Sequence, residues 1–354
     1  MIMNRGRRIS TRITVKVVVG LVLIGLVGIL VYARKESSIK SSPAMLHYRN
    51  GWLKHLGNPK GEKSLWEKDA AEKAVIEFQK AIEIEPDNVI FRRSLAFAFE
   101  KLGEIAKAEA EYKATIALNP QDSFLYFALG KLYAKGKSSQ NKAINEFRIA
   151  IQQNPDEALF HYHLAHLLYE RAVEYKGRGQ SSITDEKLAK EAFKEVQKGN
   201  KKTQLTQYLA LYPEDFTSKM DYMRIIYLLA DETLPELTMM RTLGKGNIAL
   251  GKLYEKQGKK EKALGTYQAT LTMGKKFAGQ KPLVMIKIQV GSAIDWVAFD
   301  ALEKFYSAQG MQEELKWVQR GKERLKEIRE LSRKKNVKDV KTCNAFLDKG
   351  RKET

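Results

Sequence analysis

Three histidines fall close together, His161, His163 and His166, and Glu170 follows them. On a helix, His163, His166 and Glu170 recur at i, i+3 and i+7, roughly one face, so a transition-metal site there is geometrically conceivable. No fourth ligand is identifiable, and the chain holds only 5 histidines and 1 cysteine. The expectation is therefore that these histidines belong to a helix surface or interface, with no metal and no other cofactor. The lone Cys343 excludes an internal disulfide, a four-thiolate zinc site and a c-type haem site. No serine stands in a nucleophile elbow, Cys343 lies far from any histidine, and no Gly-rich loop could cradle a phosphate. Glu and Asp are scattered at helical spacing, as on solvated faces. The chain is expected not to be an enzyme.

The elements that carry these residues follow from composition. The 354 residues suffice for about two domains, and 44% hydrophobic with 29% charged residues fits a globular chain. Gly (24) and Pro (8) are sparse, which argues for helices over many-turned β architecture. The net charge of +20 draws the chain to anionic lipid or an acidic partner. Residues 1–16 contain Arg5, Arg7, Arg8, Arg12 and Lys16 and no acid, while residues 320–354 hold 13 basic and 6 acidic side chains. With no zinc-finger spacing, RNP-type aromatic run or Gly-rich RNA clamp, a nucleic-acid partner is not expected.

Residues 17–33 form an uncharged run, mostly of Val, Leu, Ile and Gly. Extended back to Ile13, with Lys16 snorkelling to the headgroups, it spans about 31 Å as a helix, a full bilayer core. A membrane-spanning helix is the favoured reading. A signal sequence cut after Ala33 is the alternative. The basic tail 1–16 then stays cytoplasmic, which places the body on the extracytoplasmic side, in a periplasm or equivalent lumen.

The body repeats. Ala74, Phe78, Ala81 and Pro86 recur 34 residues later as Ala108, Tyr112, Thr115 and Pro120, and again as Ala143, Phe147, Ala150 and Pro155 after a step of 35. Ala263, Tyr267 and Thr270 repeat the spacing without the proline. A second pattern precedes the later sets: Leu95, Ala96 and Phe99; Leu129, Gly130 and Tyr133; Leu164, Ala165 and Leu168; Leu250, Gly251 and Tyr254. Spacing of i, i+4, i+7 makes one apolar stripe per helix, and small residues mark where two helices cross closely. Gly103 and Gly258 fall in turns, and Pro86, Pro120 and Pro155 stop helices. One such hairpin cannot bury its stripe, but stacked neighbours can.

These sets resemble the tetratricopeptide repeat (TPR), most clearly over 89–155, then over 67–86, 158–170 and 247–271. The implied fold is an all-α helical-hairpin solenoid preceded by a single transmembrane helix. A linker at 34–43 leads to an N-terminal array at 44–212, interrupted by an exposed loop near 176–184. A C-terminal array covers 213–335, with breaks at Pro213 and Pro235, and a basic tail covers 336–354.

In the family, the first helix of each hairpin lines a concave groove. By register the inward residues include Arg93, Phe97, Phe127, Lys131, Lys135, Tyr162, His166 and Tyr169. The alternative for Phe97, Phe127 and Tyr162 is packing against neighbouring helices. The carboxylate clamp of chaperone-binding members is not supported, because its slots here hold Arg93, Phe97, Ala128, Leu159 and His163 and only the first suits it. The resemblance implies a non-enzymatic scaffold or adaptor that binds protein partners with an acidic or apolar segment, in assembly of a larger envelope or membrane complex. The alternatives are a chaperone-like holder of exported proteins and a basic module for anionic lipid or polymer.

Overall fold

The computed structural model describes residues 42–52, 68–176, 180–203, 222–278 and 285–333. The basic tail 1–16, the apolar run 17–33 and the C-terminal tail 336–354 lie outside the described residues, as does the array boundary expected at 212. Among the described residues no helix is long and apolar enough to cross a membrane. The chain divides into two compact units, residues 1–104 and 105–354.

The first unit contains α1 (Pro43–Asn50), α2 (Lys68–Ile84) and α3 (Val89–Leu102), with α2 packed against both others. Phe78 of α2 is fully buried, its ring 5.9 Å from Tyr48 and 5.6 Å from Trp52. His47 and Glu77 tie α1 to α2 through a 2.8 Å bond. Asn88 caps α3 by accepting the backbone N–H groups of Ile90 and Phe91. Gly103 ends the helix in the left-handed region, at φ 76°, where a Cβ would be strained.

The second unit runs α4 (Ile105–Leu118), α5 (Ser123–Ala134), α6 (Gln140–Gln153) and α7 (Ala158–Ala172). A two-stranded ribbon follows, then α8 (Glu186–Lys201), α9 (Tyr222–Lys256), α10 (Lys260–Ala278), α11 (Met285–Gln309) and α12 (Gln312–Arg333). Helices pair as α5 with α6, α7 with α8, α9 with α10 and α11 with α12. First helices also pack on one another, α7 on α9 and α9 on α11. This is a TPR-like stack of helical hairpins. The repeated small and aromatic positions are its core: Ala108, Tyr112, Thr115, Ala143, Phe147, Ala150, Ala263, Tyr267 and Thr270 are all buried. Each proline-marked helix stops two residues before its proline, at Ile84, Leu118 and Gln153, because an X-Pro bond disfavours helical geometry in the preceding residue.

Two expectations need correction. The loop expected at 176–184 includes a strand, β2 (Gln180–Ile183), that pairs antiparallel with β1 (Val173–Lys176) just before it, Val173 opposite Ile183. Val173 and Ile183 favour extended backbone, and β2 packs on α9. The break expected at Pro235 does not occur: α9 is continuous from Tyr222 to Lys256. A proline removes one backbone donor, and a long helix packed against neighbours on several sides retains enough other bonds to continue.

Close helix approach depends on glycine. A Cβ built at Gly130 would lie 2.7 Å from the Phe147 ring, and one at Gly251 would overlap Tyr267 and Thr266. Gly251→Ala is therefore expected to cost about 1–3 kcal/mol through overpacking. Thermal unfolding measures it, and an unchanged midpoint would mean that α9 and α10 do not pack as closely as described.

Candidate functional site

The eight groove residues separate by unit and by depth. Arg93 and Phe97 belong to the first unit and are half-buried on α3; the Phe97 ring stacks on Trp52 at 6.0 Å. The other six lie in the second unit, on α5 and α7 and at Lys135, which follows α5. Phe127, Tyr162 and Tyr169 are buried, so for Phe127 and Tyr162 the packing alternative holds over the groove, and Tyr169 is likewise a packing residue. Lys135 is exposed, and Lys131 and His166 are half-buried.

The burial has a specific cause at each ring. Phe127 packs 4.8 Å from Phe160, 4.8 Å from His163 and 5.7 Å from Phe147. Tyr162 lies against Gly199 of α8, where a Cβ would come within 2.7 Å of the ring. Its hydroxyl donates to Asn200 Oδ1 at 2.9 Å, and Asn200 Nδ2 donates to the Ala269 carbonyl at 2.8 Å. Tyr169 repeats the arrangement on α9: a Cβ at Gly246 would come within 2.7 Å of its ring. Its hydroxyl donates to Asn247 Oδ1 at 2.7 Å, and Asn247 Nδ2 reaches Thr270 Oγ1 at 3.2 Å. A buried phenol without a partner would be costly, so each Gly-Asn pair supplies both space and an acceptor.

Groove register alone misses these partners. The available signal is the Gly-Asn dipeptide inside a helical pattern, at 199–200 and 246–247. Glycine in a helix interior costs about 1 kcal/mol relative to alanine, so it calls for a packing reason.

The histidines diverge. His161 is buried, with Nδ1 2.7 Å from Glu195 Oε2 and Nε2 3.3 Å from the Pro155 carbonyl. Burial opposes ionisation of Glu195, but hydrogen bonds from His161 and Lys198 outweigh it and hold its carboxyl below the usual range. His163 lies among Phe127 and Phe147, and its buried Nε2 has no hydrogen-bond partner among the described residues. Burial, then the charges of Lys131 and His166, push its imidazole well below its ordinary value, which keeps it neutral. His166 is lowered chiefly by burial, against the pull of Glu170 at 3.6 Å. Among the described residues no three His, Cys, Asp or Glu side chains converge as a metal cage requires.

The surface beside the aromatic layer carries Lys131 and Lys135, with the exposed Glu170 next to His166. Lys131 Nζ stands 5.9 Å over the Phe127 ring, and Lys135 lies one helical turn further on. The ring quadrupole attracts a cation placed over its face.

No family model matches the chain. It is 23% identical over 273 residues to the human protein antiviral innate immune response effector IFIT1, covering 70% of this chain and 55% of that protein. The chain thus spans about half the length of that relative. Among solved structures it is similar to TTC0263, a thermophilic TPR protein of Thermus thermophilus, at 17% identity and a TM-score of 0.35 over 71% of this chain and 98% of that one. It is also similar to YrrB, described as a TPR protein with an unusual peptide-binding site, at 15% identity and a TM-score of 0.34 over 69% and 97% of the two chains.

Two measurements check this geometry. Phe127→Ala and Tyr162→Ala should each cost about 3–5 kcal/mol, the cost of deleting a buried aromatic ring. Near-normal melting in both would return them to the surface. The second concerns Asp295 on α11, whose buried Oδ1 has no hydrogen-bond partner among the described residues. Burial raises its carboxyl from 3.8 to about 8, with Lys275 opposing weakly. The folded state thus holds a proton that the unfolded chain releases, and stability falls as pH rises from about 4 through 8. Asp295→Asn should flatten that decline, so that the variant is the more stable by pH 8 in urea unfolding. Parallel pH profiles would show that Asp295 is hydrated and ionised.

Proposed function

We propose that this protein is a non-enzymatic scaffold that holds an acidic segment of a partner protein on the first-helix face of its second unit. The observation that carries the reading is the pairing of Lys131, Lys135 and His166 at the surface with a buried aromatic layer, Phe127, Tyr162 and Tyr169. Affinity then comes from charge and backbone contacts, with the aromatics keeping the surface rigid. Prepositioned lysines lose less freedom on binding than mobile ones. The basic tail 1–16 and the apolar run 17–33 support a membrane tether with the body on the extracytoplasmic side, where it would assemble a larger envelope or membrane complex. Cleavage after Ala33 would release the same body into that compartment.

Photo-crosslinking from position 135 in intact membranes, followed by mass spectrometry, tests the reading. A single stoichiometric partner crosslinked through a Glu- or Asp-rich segment is the expected result. Many substoichiometric clients would favour the chaperone-like holder. Lys131→Glu combined with Lys135→Glu should weaken capture at least about tenfold, equivalent to roughly 1.4 kcal/mol, with unchanged melting. Capture that survives this double reversal would move the binding surface elsewhere.

A further inference from the structure

Helix α8 is sharply two-faced. Ala189, Ala192, Glu195, Val196 and Gly199 are buried, on a helix packed mainly against α7. Lys187, Lys194, Lys198 and Lys201 are exposed. At 100° per residue these four fall within roughly 60° of arc opposite the buried face, along about 21 Å of helix. The acids of α8 do not cancel the stripe. Glu186 bonds Lys190, Glu191 pairs with Arg148 of α6 at 2.9 Å, and Glu195 bonds both His161 and Lys198, so of the four lysines Lys198 is paired. Lys187, Lys194 and Lys201 have no acidic partner among the described residues. A hollow of about 630 Å³ runs along Glu186, Lys187, Lys190, Glu191 and Lys194.

We propose that this stripe docks the second unit on an anionic bilayer surface. Charge complementarity demands an anionic occupant, and three features select a lipid plane. The cations form a straight row on an outward helix face, which meets a plane of phosphates along its whole length. They are all lysines, compact point charges on flexible stems suited to a diffuse headgroup layer, whereas arginine forks suit paired recognition of one carboxylate or phosphate. No aromatic lies in the exposed arc, so unpaired bases would find no stacking platform there. The surface is distinct from the one bearing Lys131 and Lys135.

The test uses the full chain with a fluorophore at Gln197→Cys in a Cys343→Ser background, reconstituted into vesicles carrying a headgroup quencher. The reading rests on the proposed tether at 17–33, so co-flotation first establishes attachment to both phosphatidylcholine and phosphatidylglycerol-rich vesicles, after which only docking of α8 changes the signal. Quenching should be strong on the anionic vesicles, weak on the neutral ones, and lost at high salt. Lys187→Glu, Lys194→Glu and Lys201→Glu together should lower the docked fraction at least about tenfold, since each lysine near the surface adds attraction, with melting unchanged. Lys131→Glu with Lys135→Glu should leave quenching intact, which separates this inference from the partner-binding reading. Equal quenching on both vesicle types, or quenching that survives the triple reversal, would overturn the proposal. Displacement from the vesicle by an acidic peptide or an RNA oligonucleotide at far lower charge concentration would overturn it too, and give the stripe to that class.

Discussion

Two tyrosines on α7 are held by the same device, and the middle of the second unit depends on it. The ring of Tyr162 sits on Gly199 and that of Tyr169 on Gly246; each phenol donates to the asparagine that follows, Asn200 or Asn247. Those asparagines in turn reach Ala269 and Thr270 of α10. Four helices, α7 to α10, are thereby joined by polar bonds, buried at Asn247 and part-buried at Asn200, that tolerate little displacement. A hydrophobic core fixes which faces meet but leaves helices free to slide by fractions of a turn. Fully satisfied buried hydrogen bonds remove that freedom, because any slide leaves a donor or acceptor unpaired. Lys276 adds a further clip from α10, donating to the carbonyl of Gly199 at 2.8 Å as well as to that of Lys202. It thereby adds a second donor at the Gly199 carbonyl, which already accepts from the Lys202 N–H, and reaches past the α8 C-terminus.

This constraint decides the chemical character of the surfaces. Rings spent on interior packing are not available to a partner, so the exposed chemistry is left to lysine side chains. On the α5 and α7 side these are Lys131 and Lys135 with His166 beside them; on α8 they are the lysine row. The neutral His163 fits the same division. Its ring packs among Phe127 and Phe147, and a charge there would be both desolvated and repelled by Lys131. Recognition built from lysines over a rigid aromatic floor depends on salt and on the partner's charge more than on its shape.

The sequence by itself determined the all-α class, the hairpin period and most helix limits. Ala, aromatic, small and Pro at fixed offsets state which residues meet across a hairpin and where the chain must turn. Those are local and nearest-neighbour facts, carried by periodicity and by the backbone restrictions of Gly and Pro. Thus Phe147 meets Gly130, Tyr267 meets Gly251, and α2, α4 and α6 stop before their prolines. Only the tertiary structure decided which aromatics face inward. Phe127 and Tyr162 occupy groove positions by register, yet the depth of a groove position depends on how closely neighbouring helices approach, and that is set by residues far away in the chain: Gly199 and Asn200 for Tyr162, Gly246 and Asn247 for Tyr169. The same holds for Pro235 and for the ribbon at 173–183. A proline ends an isolated helix, and a Gly-rich loop stays irregular, unless packing from several neighbours compensates for the lost bond or the ordering. Those neighbours are assembled only by the fold.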